Sequence, residues 1–439
     1  MNVDIKNSAS HRRRTKIIAT LGPGTDDPKV LAGLIRAGVD VFRVNMSHGS
    51  PEEQERRALM VREIAGQLRW QVAILFDLQG PKIRIESFEG GSVQLVGGDH
   101  FMLDAEDPDT PGDDKRVGVS YSNLPNDVEP GDTLLFDDGL ISMQVQSVSG
   151  QRVHCLVENG GTLSNRKGLN LKGGGLSVSG LAQHDYPSLE LAARLGADFL
   201  AVSFVSNADD IRQARSLLRK AGSKAAVVAK IERMEALDNL DEICEASDVI
   251  MVARGDLGVE IGEAELPGLQ KRIIRTALKV IEAMNRICLG AERHFEAEGD
   301  VRHLNVRYER IDQAIAMAAM FMATNVSVQA IVALTESGST AQWLSRVQSS
   351  VPIYAFSTNS VSRRKMAMFR DVFPVKQESA SENADEVISE ALSTLLAHGA
   401  VREDDRIILT MGDRMSKSGG TNTMRFIKLD EEGRARYGI

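Results

Sequence analysis

Two apolar runs that do not alternate, each closing on charge, limit what this chain can fold into. Val249-Ile-Met-Val-Ala-Arg-Gly-Asp-Leu-Gly-Val259 passes from a continuous apolar stretch into Arg254-Gly255-Asp256, and Ala225-Ala-Val-Val-Ala-Lys-Ile-Glu232 ends on Lys230 and Glu232. A half-exposed strand alternates apolar with polar residues, so unbroken runs predict strands covered on both faces, as in a parallel α/β sheet. Strand side chains repeat every two residues, which puts Lys230 and Glu232 on one side. Gly255 lets backbone approach a ligand closely where Asp256 arrives. A cation and two carboxylates at the carboxyl ends of consecutive parallel strands suit a divalent metal and an anion.

The rest of the chain can be read against those strands. Runs 16–22, 39–47 and 71–79 predict strands, and 27–37 and 51–68 predict helices, giving βαβα. From about 86 to 175 short runs (92–95, 133–136, 141–148, 152–158) are punctuated by Gly-Gly, Pro-Gly and Asp-Asp-Gly, the texture of an inserted all-β domain, a small barrel or sandwich. The α/β pattern resumes with a helix at 185–195, a strand at 199–205 and a helix at 207–221. The expected fold is α/β: a TIM (β/α)8-type barrel with only six identifiable strands, an inserted all-β domain and a C-terminal α/β domain. Its domains are 1–85 with 176–297, then 86–175, then 298–439. A closed barrel wants eight strands, yet 267–296 is one long helical pattern. Beyond it, 311–324, 328–334, 352–357, 384–397, 406–411 and 424–429 alternate again.

Bulk properties narrow the partners. With 439 residues, 26% charged and 42% hydrophobic, the chain suits two or three globular domains. A net charge of −9 gives no electrostatic support for nucleic-acid binding, which points to a small-molecule partner. No apolar run approaches the roughly 20 residues that cross a bilayer, so no membrane association is expected. Cys155, Cys244 and Cys288 lack paired spacing and read as core fillers, which fits a reducing cytoplasm. The arm ending in His11-Arg-Arg-Arg14 reads as solvated.

Five further clusters carry polar chemistry. Period two places Arg43, Asn45 and Ser47 on one face at the end of the second strand, where they suit a phosphate and a small cation, or an ordinary strand end. Beside them His48 could touch a ligand or serve structure alone. Asp77, Lys82 and Arg84 fall where the third strand enters the insert, a site or a solvated hinge. Lys167 lies in Ser164-Asn-Arg-Lys-Gly-Leu-Asn170, a basic turn able to meet phosphate, or a plain loop. Thr335-Glu-Ser-Gly-Ser-Thr-Ala341 follows a strand and opens a helix, a common phosphate setting. Ser416-Lys-Ser-Gly-Gly-Thr-Asn422 is a weaker loop of that kind. Lys230, Glu232 and Asp256 stand out, because charges ending apolar strands must be paired or bind something.

Taken in order, FRVNMSHG (42–49), FDLQGPKIR (76–84), NRKGLNL (165–171), KIER (230–233) and ARGDLG (253–258) resemble pyruvate kinases over nearly the whole chain. The resemblance implies phosphoryl transfer from phosphoenolpyruvate to ADP, giving pyruvate and ATP, in a cytoplasmic homotetramer using Mg2+ or Mn2+. It assigns Arg43 to the transferring phosphoryl group, Lys230 to its developing charge, and Glu232 and Asp256 to the metal. Backbone at Gly255 and Asp256 would meet the substrate carboxylate, and Asn45, His48, Arg84 and Lys167 would place the nucleotide. A monovalent-cation region would fall at Asn45, Ser47, Asp77 and Leu78. There Lys82 stands where potassium-requiring members carry Glu, a pattern resembling the bacterial potassium-independent branch, so K+ is not expected to be required. Thr335, Ser337, Ser339 and Thr340 would bind an activating sugar monophosphate or AMP.

One stretch departs from the family. Its seventh strand, with a Thr-Gln motif, and its eighth, with Ser-Glu-Thr, have no counterpart, and Arg275-Thr-Ala-Leu-Lys279 runs straight toward the last barrel helix. About two βα units are missing or abbreviated, roughly 60 residues at most in a fold of about 250. Removing two adjacent strands would open the barrel and expose unpaired edges, which argues for an omitted segment over a true deletion. A true deletion would imply a weak or inactive sugar-phosphate-binding paralogue. Another metal-dependent, enolate-forming barrel lyase is the remaining alternative.

Overall fold

The computed structural model describes residues 16–178, 180–261, 265–270, 272–273, 310–347, 349, 351–379, 381, 383–412, 420–430 and 435–436. Strands β1 (Ile18–Thr20), β2 (Val41–Asn45) and β3 (Ala73–Asp77) begin the chain. Between them lie helices with strong local signals. Pro28–Ala37 is capped by Asp27, whose side chain accepts from Lys29 N, and it stops at Gly38, where φ is +102. Pro51–Gln67 opens with Ser50 and Glu53 bonding each other's backbone reciprocally, with Pro51 in the first turn. All five residues of β3 are buried, as a strand covered on both faces requires.

The insert supplies β4 (Ser92–Leu95), β5 (His100–Asp104), β6 (Arg116–Gly118), β7 (Thr133–Phe136), β8 (Ile141–Ser149), β9 (Arg152–Asn159), β10 (Gly161–Ser164) and β11 (Leu169–Leu171). Six of these form one sheet in the order β11-β7-β8-β9-β5-β6, and β10 pairs with β4. Phe101, Phe136, Met143 and Leu163 share one apolar core. The return from the insert is a run of three glycines, Gly173 (φ +89), Gly174 (+80) and Gly175 (+112), a backbone open only to glycine. The turn is anchored: Gly173 N donates to Glu260 O (2.9 Å) and Gly175 N to Glu235 Oε1 (2.5 Å).

Next come β12 (Phe199–Val202), β13 (Ala226–Ile231) and β14 (Val249–Val252), and the first sheet has the order β1-β2-β3-β12-β13-β14. Two expectations need correction here. The Arg254-Gly255-Asp256 segment is already the first turn of a helix, Arg254–Ile261, because the sheet strand stops at Val252. And β14 is half-exposed along its length, not covered on both faces: it is an edge of the sheet, and among the described residues no strand pairs with its far side. The long helical stretch expected at 267–296 lies mostly outside the described residues.

The C-terminal sheet, β17-β16-β15-β18-β19-β20, comprises β15 (Ala330–Leu334), β16 (Ile353–Ser357), β17 (Val372–Lys376), β18 (Arg406–Gly412), β19 (Thr421–Leu429) and β20 (Ala435–Arg436). One face packs on Ala316, Met320 and Leu344, the other on Ile388, Leu392 and Leu395.

The chain falls into two compact units, 1–76 with 195–199 and 282–439, and 77–194 with 200–281. Within the first, Asp198 is fully buried between two arginines. Its Oδ2 accepts from Arg62 Nη2 (2.7 Å) and Ile74 N (2.9 Å), and its Oδ1 accepts from Arg364 Nε (2.9 Å) on the helix Ser360–Met366.

Candidate active site

In the second unit a buried ammonium organises the site. Lys230, on β13, donates to Ser203 Oγ (2.7 Å) and pairs with Glu232 Oε1 (2.8 Å) and Asp77 Oδ1 (3.1 Å). An ammonium has three hydrogens, and here each has an acceptor. Burial opposes the charge, but Glu232 and Asp77 outweigh it and hold Lys230 above its ordinary range, so it is cationic at neutral pH. Glu232 goes the other way for a carboxylate: its own burial, with the negative charge of Asp256 adding to it, overcomes Lys230 and raises it. Its second oxygen, Oε2, accepts from Phe204 N (2.7 Å).

Asp256 Oδ1 accepts from Lys82 Nζ (3.0 Å), and Asp138 lies 4.0 Å from the same ammonium. Lys167 Nζ pairs with Asp137 Oδ1 (2.7 Å), while Arg84 Nη1 donates to Arg166 O (2.8 Å). Thus Lys82 and Arg84 from one motif and Lys167 from another meet carboxylates or carbonyls of the insert. Gly255 faces open space: a side chain there would meet nothing within 4 Å. Leu78 is buried, and its carbonyl accepts from Ser203 Oγ (2.7 Å).

A divalent ion fits this donor set. The negative charge of Asp256 adds to the rise that burial imposes on Glu232, and a cation between the two carboxylates relieves it. Among the described residues no cluster of three or more His, Cys, Asp or Glu forms a metal cage. Magnesium does not ask for one, since it keeps several waters and takes one or two carboxylates plus substrate oxygens.

The first unit holds the other cluster. Arg43 Nη1 donates to Thr20 Oγ1 (3.2 Å) across β1 and β2. Past the end of β2, Asn45 Oδ1 accepts from Ser47 N (3.1 Å) and its Nδ2 lies 3.1 Å from His48 Nδ1, so these three residues form one polar turn. In the C-terminal loop only part of the expected phosphate set faces outward. Ser337 is exposed and Ser339 half-buried, but Thr335 and Thr340 are buried. Thr335 Oγ1 accepts from Gly338 N (3.1 Å) within the loop, and Thr340 Oγ1 bonds Thr421 Oγ1 (2.6 Å) at the start of β19, so both hydroxyls are taken up by the fold. Residues 413–419 of the second Gly loop lie outside the described residues.

Sequence reasoning passed over Ser203, Asp137 and Asp138. A hydroxyl closing the apolar run of β12, level with the charges closing β13, was the available signal for the first. The aspartates sit in the Asp-Asp-Gly turn of the insert, which announces a turn and says nothing of what it faces.

Two family models account for most of the chain: the pyruvate kinase barrel domain matches residues 12–297 and the pyruvate kinase alpha/beta domain residues 313–427. The chain belongs to the pyruvate kinase family. It is 42% identical to pyruvate kinase II of Salmonella typhimurium, over 95% of this chain and 99% of that protein. The pyruvate kinase of Haemophilus influenzae is 39% identical, covering 94% and 97%, and that of Methylorubrum extorquens 34%, covering 96% and 98%. The Salmonella alignment runs over 478 positions, more than the 439 residues here, so that relative carries residues without counterpart in this chain.

Proposed function

We propose that this enzyme transfers the phosphoryl group of phosphoenolpyruvate to ADP, giving pyruvate and ATP, the last step of glycolysis. The observation that carries the reading is the fully engaged Lys230 between Asp77 and Glu232, with Asp256 beside Lys82, inside a chain of this family. Phosphoryl transfer passes through a loose, charge-dispersed transition state, so the work lies in positioning and cationic screening. Arg43 binds the transferring group, and Lys230 meets the charge that develops on it. Glu232 and Asp256 hold the divalent ion, magnesium or manganese, which supplies charge neutralisation to the phosphates when bound. Backbone at Gly255 and Asp256 takes the substrate carboxylate, and Asn45, His48, Arg84 and Lys167 place the nucleotide. The bond from phosphorus to the enol oxygen breaks as one to the terminal ADP oxygen forms, and the enolate left behind takes a proton at carbon.

Finer features complete the proposal. Potassium is dispensable because the Lys82 ammonium, 3.0 Å from Asp256, supplies positive charge locally. The 335–341 loop binds an activating sugar monophosphate or AMP through Ser337, Ser339 and backbone N–H groups, with Thr335 and Thr340 shaping it. The protein works as a cytoplasmic homotetramer. In support, the helix Ile311–Asn325 leaves Ile311 and Phe321 68% and 46% exposed, apolar surface that a second copy would cover, and no helix among the described residues is long and apolar enough to cross a membrane. The division into 1–85 with 176–297, 86–175 and 298–439 is kept as the functional one: barrel, lid and effector domain.

Pyruvate formation from phosphoenolpyruvate, ADP and Mg2+, followed by NADH loss through lactate dehydrogenase, tests the function directly. A second reading, a weak or inactive sugar-phosphate-binding paralogue, is favoured by one fact: the Thr-bearing seventh strand that serves enolate protonation in the family has no counterpart in this sequence. Peptide mapping across Arg275–Met284 decides whether the chain is continuous there. Absence of turnover in a chain so mapped would favour the paralogue.

A further inference from the structure

We propose that Ser203, with the left-handed Phe204 after it, is a positioning residue that sets the head group of Lys230; this rests on the phosphoryl-transfer reading of the site. Lysine has no acceptor, so Lys230 donates to Ser203 Oγ (2.7 Å) and the serine's single hydrogen goes elsewhere. Leu78 O, at 2.7 Å, is nearer than Asp77 Oδ1 at 3.4 Å, and it takes that hydrogen. A serine whose own hydrogen is committed presents its lone pair to the ammonium in one orientation.

The neighbouring residue does the same for the second functional group. Phe204 has φ +55, a conformation that costs a non-glycine residue about 1–3 kcal/mol and persists where surroundings impose it. Its N–H donates to Glu232 Oε2 at 2.7 Å. One two-residue corner after β12 therefore fixes both Lys230 on β13 and Glu232 just past its end. The corner is packed from outside by Gly80 (φ +68), where any Cβ would lie 2.8 Å from Ser203 Cβ and 2.9 Å from the Phe204 ring. No water can stand in for the hydroxyl cheaply, since Ser203 is 2% exposed and Asp77 and Glu232 1% each.

Chemistry explains why a hydroxyl suits this place. The two carboxylates on Lys230 neutralise it as well as hold it, whereas the hydroxyl orients without cancelling charge. When one donor of Lys230 turns to a phosphoryl oxygen, the bond to Ser203 keeps the nitrogen in position and leaves its charge available.

The test uses Ser203→Ala and Ser203→Thr in the full chain. For Ser203→Ala we expect kcat to fall by about 10²-fold, the effect of roughly an ångström of misplacement, with KM for both substrates little changed. Ser203→Thr keeps the oxygen and should recover most of the loss. A second readout needs no turnover: trinitrobenzenesulfonate labelling of Lys230, followed by peptide mass spectrometry, should speed up in Ser203→Ala, whose lysine has lost a partner. Unchanged labelling overturns the proposal, even in a chain that makes no pyruvate. So does an Ala variant with wild-type kcat, or a loss that follows melting temperature alone and is deeper in the Thr variant. A wild-type protein without pyruvate formation whose labelling still responds would sink the functional reading and leave the positioning role standing.

Discussion

Lys230 has no hydrogen to spare, which changes what its removal should do. Replacing it by Met is expected to lower phosphoryl transfer by about 10²–10³-fold or more, the weight of one preorganised charge donor. It also leaves Asp77 and Glu232 buried without their cation, so stability should fall by about 3–5 kcal/mol. Denaturant unfolding beside steady-state kinetics separates the two effects, and wild-type turnover would remove Lys230 from the mechanism. Glu232→Gln and Asp256→Asn should instead raise the magnesium concentration needed for half-maximal rate. Lys82 allows a second experiment. A glutamate in its place would face Asp256, and two like charges at 4 Å repel by about 4 kcal/mol in a partly screened site. Lys82→Glu should therefore acquire dependence on potassium, while the unmodified enzyme keeps its rate when potassium is exchanged for an inert organic cation; strong potassium activation of the latter defeats the idea. Period two along a strand made the pairing of Lys230 with Glu232 legible in the sequence. It could not show that Thr335 and Thr340 turn inward, because hydroxyls satisfy a loop as readily as a ligand.

Among elements, the helix Arg254–Ile261 links the candidate site to the glycine return of the insert. Glu260 is buried, and desolvation pushes its carboxyl up to about 7; the Met234 N–H, Arg233 and Asn170 pull the other way, and Glu235 adds to the rise. A carboxyl raised in the folded state gives stability that is full below its unfolded value near 4.5 and is lost as pH climbs through about 7. From pH 5 to 8 the wild type should thus lose roughly 1–3 kcal/mol relative to Glu260→Gln, which stays uncharged. Thermal unfolding of both proteins across that range checks it, and parallel curves would refute it. Long periodic segments and capped helices were readable: Pro51–Gln67 matches its prediction to a residue. What escaped was short. The three residues of β6 and the helix Ser360–Met366 are too brief for any period to register, and packing against the rest of the fold decides them.

For the molecule as a whole, regulation offers the sharpest test. Family members that respond to a sugar bisphosphate usually carry a cation where this chain has Glu336. Here that carboxylate is fixed by Thr358 Oγ1 (3.0 Å), so it cannot simply swing away from a second phosphate. Activity titrated with glucose 6-phosphate, ribose 5-phosphate, AMP and fructose 1,6-bisphosphate should favour the monophosphates; preference for the bisphosphate refutes the reading. Asp198 belongs to this level as well, since it ties Arg62 to Arg364 on the helix Ser360–Met366. Asp198→Ala should cost more stability than Arg62→Ala or Arg364→Ala, because it leaves two guanidiniums facing each other with no counter-charge. Urea midpoints of the three variants rank them, and equal losses would contradict it.

That inequality gives the cluster a direction in descent. A lineage can drop Arg364 first and keep a paired carboxylate, or drop Arg62 first and do the same. Beginning with Asp198 instead passes through an intermediate that holds two facing guanidiniums without their shared carboxylate. Across diverging sequences the aspartate should be the last of the three to go, and an ancestor lacking it should already lack an arginine.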